Sequence, residues 1–112
     1  MTVMRPMGPR SNRHDVRLAA HIIALLGSGW QCLALRREGW ASATFAGARH
    51  HLVFAGSPDA DRRGADRLAR DIAEIDFALR RAFIADAAMT DRRVDAAGWC
   101  RLHIELLVIE DA

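Results

Sequence analysis

Trp99-Cys100-Arg101-Leu102-His103-Ile104-Glu105-Leu106 alternates apolar and polar residues at period two. Cys100, Leu102, Ile104 and Leu106 fall on one side, and Trp99, Arg101, His103 and Glu105 on the other. This predicts a strand from about Gly98 to Ile109 with one face on a core and one face open. From Leu106 to Ile109 both sides are apolar, so that end is expected to be covered on both faces. Upstream, the segments Trp30 to Arg37, Trp40 to Ala46 and Arg49 to Ala55 are punctuated by Glu38-Gly39 and Gly47-Ala48. They read as three strands of an antiparallel meander. Ile84 to Thr90 reads as a further short strand, with Asp91-Arg92-Arg93 turning the chain after it.

Two segments carry helical periodicity instead. Val16, Ala19, Ala20, Ile23 and Leu26 form a stripe over Asn12 to Leu26. Ser11 or Asn12 is placed to cap that helix, Asp15 lies in its first turn, and Gly27-Ser28-Gly29 ends it. Ala65, Leu68, Ile72, Ile75, Leu79 and Ala82 recur at spacings of three and four, predicting a longer helix capped by Asp59 or Asp61. On it Asp66 and Arg70, and Asp76 and Arg80, stand as i,i+4 ion pairs of a solvated face. His21 and Phe77 fall outside the two stripes. The order α-β-β-β-α-β-β predicts an α+β domain, an antiparallel sheet of about five strands with two helices on one face. Residues 1–10 hold two of the three prolines and no apolar period, and read as a loose arm before a single domain over 11–112.

Parity nominates a surface. Leu33, Leu35, Ala43, Phe45, Leu52 and Phe54 make a core-facing set. The opposite parity gathers Trp30, Cys32, Arg36, Trp40, Arg49 and His51, joined by Trp99, Arg101, His103 and Glu105. All three tryptophans are thus expected on one open face. The candidate partner- or ligand-binding residues are Trp30, Arg36, Trp40, Arg49, His51, Trp99, Arg101 and His103. Tryptophan and arginine bury large areas while reaching polar partners, which suits an interface between copies or with another protein. The same residues could stack bases and hold phosphates, or line a small-molecule pocket. The plain structural alternative is tryptophans that cover the ends of strands. Alanine at Trp30 or Trp99 is expected to leave the chain folded but monomeric.

The titratable residues add one further reading. His50 and His51 are adjacent, so they point to opposite faces of a strand. His51 and His103 share the open face, where they could bind a metal or shuttle a proton with Glu105 orienting His103. Cys100 and His103 fall on opposite sides, as do Cys32 and Cys100, which argues against a metal pair and against a disulfide. No phosphate-binding glycine loop and no GxSxG elbow is present. No cofactor and no catalytic residue is assigned.

Composition changes this picture little. Hydrophobic residues make up 51% and charged residues 27% of 112 residues, as in ordinary globular domains. The net charge is +2 and the pI about 9.0, yet all 16 basic residues are arginine and Asn12 is the only asparagine. Loss of residues with AT-rich codons accounts for that bias without a nucleic-acid partner. No apolar run approaches the roughly 20 residues needed to cross a bilayer, so a cytoplasmic protein is expected. In element order the segment from Asn12 to Phe83 resembles double-stranded-RNA-binding domains. It offers Arg62, Arg63 and Arg67 mixed with Asp61 and Asp66 where those domains have a lysine-rich helix start. The full order is similar to the α/β fold of secretion chaperones, a likeness that implies a homodimer. No residue motif carries either likeness, and no family is claimed. The expectation is a binding module that pairs with itself. Nucleic acid, or an enzyme or small-molecule site built on His51 and His103, is the alternative.

Overall fold

The computed structural model describes residues 13–110. The proposed arm over 1–10 and the caps Ser11 and Asn12 lie outside the described residues. Helix α1 spans Arg13–Leu26. Strands β1 and β2 cover Trp30–Ala41 and Ala46–Gly56, α2 covers Arg63–Asp71 with a 3-10 turn over Ile72–Glu74, and β3 and β4 cover Ala82–Val94 and Cys100–Glu110. The strands form one antiparallel sheet in the order β1-β2-β4-β3. The fold class is α+β as expected, but the sheet has four strands and the element order is α-β-β-α-β-β. The likeness to double-stranded-RNA-binding domains rested on three strands between the helices, so it does not carry over.

The missing strand has a local cause. Glu38-Gly39 does not turn the chain. Gly39 is buried opposite Ala48 in pairing that continues from Ala34 to Ala41, and β1 runs through both predicted strands. The reversal comes at Ser42–Phe45, where the Ser42 hydroxyl accepts hydrogen bonds from the amides of Thr44 and Phe45. Ser42 thus does locally what a glycine turn does elsewhere. Phe45, expected in the core, sits in this loop and is exposed. Likewise Asp91-Arg92-Arg93 lies within β3. The β3–β4 turn is built by Asp95, whose carboxylate accepts from the amides of Ala97 and Trp99, and by Gly98 at φ +93°.

The second helix is shorter than its stripe. It leaves α geometry at Ile72 and becomes extended at Ile75. Ala65, Leu68, Ile72 and Phe77 are buried, while Ile75 and Leu79 pack at the margin of the core. Asp66 pairs with Arg92 of β3 at 2.8 Å, not with Arg70, and Asp76 accepts from the amide of Ala78. Phe77 meets the His21 ring edge-on at 5.0 Å, so the two residues left off the stripes pack on each other.

Both helices lie on one face of the sheet. Leu18, Ile22 and Leu26 of α1 and Ala65 and Leu68 of α2 join Leu52, Phe54, Leu102, Ile104, Leu106 and Val108 in a single core. Each large side chain buried there contributes roughly 1.5–3 kcal/mol before ordering costs. The helices cross closely at Gly64, where a Cβ would lie 2.6 Å from the Leu25 and Leu26 carbonyl oxygens. Among the described residues no helix is long and apolar enough to cross a membrane.

Candidate functional site

A bulge sorts the side chains of β1. The ladder steps from Cys32↔Phe54 to Ala34↔Val53, leaving Leu33 extra. Parity therefore inverts at Leu33. Before it, Trp30 and Cys32 lie on the core face opposite Gly56 and Phe54. After it, Arg36, Glu38 and Trp40 lie on the open face opposite His51, Arg49 and Gly47. This corrects the placement of Trp30 and Cys32. Trp30 is 7% exposed and belongs to the core. Its ring covers Gly56, its Nε1–H donates to the Asp61 carbonyl at 3.2 Å, and the Arg62 guanidinium sits 5.5 Å from its centroid. Cys32 and Cys100 share the core face instead of opposing each other, and both are free thiols. Burial pushes the Cys32 thiol above its ordinary value.

The other candidates, Arg36, Trp40, Arg49, His51, Trp99, Arg101 and His103, come together on the face away from the helices. Cross-strand register arranges that face in five rows. The first is Gln31-Ala55-Arg101-Arg93 and the second Ala34-Val53-His103-Asp91. The third is Arg36-His51-Glu105-Ala88, the fourth Glu38-Arg49-Leu107-Asp86, and the fifth Trp40-Gly47-Ile109-Phe83. Trp40 lies over Gly47, where a Cβ would stand 2.9 Å from the ring. Both edge-strand tryptophans thus rest on a glycine of β2, Trp30 from the core side and Trp40 from the open side. Trp99 is 39% exposed. It flanks a cleft of about 430 Å³ with Gln31, Leu33, Ala55, Arg93, Val94 and Arg101.

Charges fill the middle of the face, and most are already paired. Arg36 meets Glu38 at 2.8 Å, Arg49 bonds Glu105, and Arg93 meets Asp91 at 2.8 Å. His51 stands between Glu38 at 3.3 Å and Glu105 at 4.0 Å. Arg36, Arg49, Arg93 and Arg101 balance Glu38, Glu105, Asp86 and Asp91. With neutral histidines, the registered positions of the face carry no net charge. Two groups have no ion pair among the described residues: Arg101, directly opposite Arg93, and Asp86. His51 and His103 occupy diagonal positions on neighbouring strands, a separation of about 7–8 Å in sheet geometry. Among the described residues no group of three or more His, Cys, Asp or Glu side chains is placed to hold a metal ion.

No family model, curated protein or solved structure matches the chain. The geometry alone therefore carries the functional reading.

Reading the histidines by parity overlooked a buried polar group beneath α1. His50 is 1% exposed on the core face, and its Nδ1–H donates to the carboxylate of Asp15. Arg37, opposite His50 on β1, lies 4.0 Å from Glu110, which also approaches His14 at 3.8 Å. Burial, the largest influence, pushes His50 below its ordinary value. The Asp15 carboxylate opposes that shift, and Arg37 and His14 add to it. The signal was present in the sequence. A histidine in phase with Leu52 and Phe54 must find a partner in the core, and Asp15 sits in the first turn of the helix that covers it.

Proposed function

We propose that the chain is a binding module that pairs with a second copy of itself through the open face of its sheet. Area supports this reading. The 11 residues of each central strand, β2 and β4, and the width of four strands span roughly 36 Å by 19 Å, about 700 Å². A stable interface takes about 800 Å² per partner, so one face is close to a whole interface. The face also has the make-up of one, with apolar groups at both ends (Trp99 and Leu33; Trp40, Ile109 and Phe83) and charges of both signs between them. The sheet edges are poor alternatives. β3 has register shifts at Ile84/Asp86 and Met89/Asp91, and β1 one at Cys32/Ala34. Bulged edges resist pairing with another strand.

The observation that carries the proposal over nucleic-acid binding is the charge balance. Phosphate binding needs an excess of free cations, and three of the four arginines of this face already hold carboxylates. Catalysis by His51 and His103 has less support, since the two stand diagonally about 7–8 Å apart and His51 is already held between Glu38 and Glu105. With both cysteines free, a reducing compartment suits the chain, and we place it in the cytoplasm. Sedimentation equilibrium over a concentration series is the test. A dimer that Trp99→Ala weakens about tenfold or more, with the melting temperature held within a few degrees, is expected. A wild-type chain that stays monomeric at about 0.5 mM overturns the proposal, because interfaces of this size bind in the micromolar range or tighter.

A further inference from the structure

We infer that, in the dimer proposed above, Asp86 of each copy sits against the Arg93–Arg101 pair of the other. The inference rests on that reading and adds the register and the residues that set it. Arg93 and Arg101 are direct cross-strand partners on the open face, and like charges so placed repel. Arg93 is partly compensated by Asp91, whereas Arg101 has no carboxylate among the described residues. Asp95 lines the same cleft, but its carboxylate is taken up by the amides of Ala97 and Trp99 and makes no ion pair with either arginine among the described residues. Asp86, three rows away, is the carboxylate of the face that holds no cation among the described residues.

A symmetric pair of copies supplies each with what it lacks. In an isologous dimer, if one residue meets another across the axis, the reciprocal contact forms as well. Consider a two-fold axis lying in the interface and crossing the strands midway between the second and third rows. It carries the first row onto the partner's fourth row. Arg93 and Asp86 are both on β3, so each lands over the other, within the rotation of about 30° that sheet twist imposes. The same operation carries His103 onto Glu105, both on β4. It also slides the fifth row, with Trp40, past the partner's first row onto the ledge beside Trp99.

Two competing registers are penalised by charge. An axis through the third row sets Glu105 on its own copy and Asp91 on Asp86. An axis parallel to the strands sets Glu38 over Asp86. Like-charge contacts of this kind reject an arrangement as strongly as good contacts select one.

A charge swap tests the pairing. Arg93→Glu and Asp86→Arg, the two residues that land over each other, are both substitutions of exposed side chains, and melting temperatures near wild type confirm that each variant folds. Each variant alone is expected to dimerise about tenfold or more weakly, because the swap places like charges across the interface twice. Mixing the two variants restores opposite charges at both contacts. A one-to-one heterodimer of near wild-type affinity is then expected by native mass spectrometry and sedimentation. If either variant fails to fold, Arg93→Gln and Asp86→Asn replace the pair. Each is then expected to weaken the dimer alone, and the double variant to be no weaker than the worse single. A wild-type dimer whose swapped variants do not recover on mixing, or whose neutral variants add independently, overturns this register and leaves self-association standing. A monomeric wild type removes both.

Discussion

Truncating Trp30 to alanine is expected to damage the fold before it touches any interface. The indole is 7% exposed and lies flat on Gly56, where even a single added methyl carbon would stand 2.7 Å from the ring. Removing it opens a cavity between β1, β2 and the start of α2, and large-to-small changes of this type cost about 3–5 kcal/mol. The substitution also strips the Asp61 carbonyl of its 3.2 Å donor and Arg62 of its aromatic partner. These contacts share one site and are not added separately. For a domain of this size the loss corresponds to a fall in melting temperature of at least about 12 °C, a large share of a total stability of about 5–15 kcal/mol. The assay is urea unfolding followed by circular dichroism at several protein concentrations, since self-association would itself raise apparent stability. Trp99→Ala, at a position 39% exposed, is the control. A Trp30→Ala chain that loses under about 1 kcal/mol yet no longer dimerises would place this indole on the association surface and refute the reasoning.

Two further outcomes are expected. Because burial holds His50 below its ordinary value of 6.5, the unfolded chain takes up the proton first. Stability should then be intact above about pH 6.5 and decline as the pH falls from there toward the folded value. His50→Gln should flatten that decline in unfolding curves measured between pH 7 and 5, and an unchanged slope would assign it to another group. Single-stranded RNA, titrated at about 50 mM salt, should show no salt-steep affinity. A submicromolar complex that weakens sharply with added salt would contradict the neutral-face argument.

The extent of α1, the Gly27 stop and the core faces of β2 and β4 were legible from periodicity, although the stripe read for α1 was rotated: Leu18, Ile22 and Leu26 face the core, while Val16 is 65% exposed. Gly27 at φ +93° donates back to the Ile23 carbonyl at 3.0 Å, as a glycine cap should. What was not legible was set by single residues whose effect depends on tertiary context. Leu33 is as apolar as its neighbours, and nothing in its identity announces a bulge, yet it inverts the parity of every residue before it on β1. Gly39 looks like a turn but is a buried strand residue paired with Ala48. Ser42, unremarkable among small residues, makes the turn. The stripe through Ile75 and Leu79 continues beyond Asp71, but the backbone becomes extended at Ile75. Apolar residues can face a core from an irregular segment as well as from a helix, so periodicity overran the helix end.

The face was nevertheless nominated almost intact, and the reason is physical. The parity error on β1 stops at the bulge, so Arg36 and Trp40 fall where alternation puts them, and Trp30 alone among the candidates moves to the core. What sequence could not supply was pairing between strands, and pairing decides the chemistry of the face. Read as a composition, four arginines with tryptophans suggest a polyanion site. Read through the register, each of Arg36, Arg49 and Arg93 has a carboxylate beside it, supplied by Glu38, Glu105 and Asp91. The basic excess of the chain therefore lies off this face, and the pI of about 9.0 says nothing about what the face binds. A surface that has neutralised itself strand by strand, and that among the described residues leaves one cation and one anion unmatched in different rows, suits a partner with the same arrangement turned around.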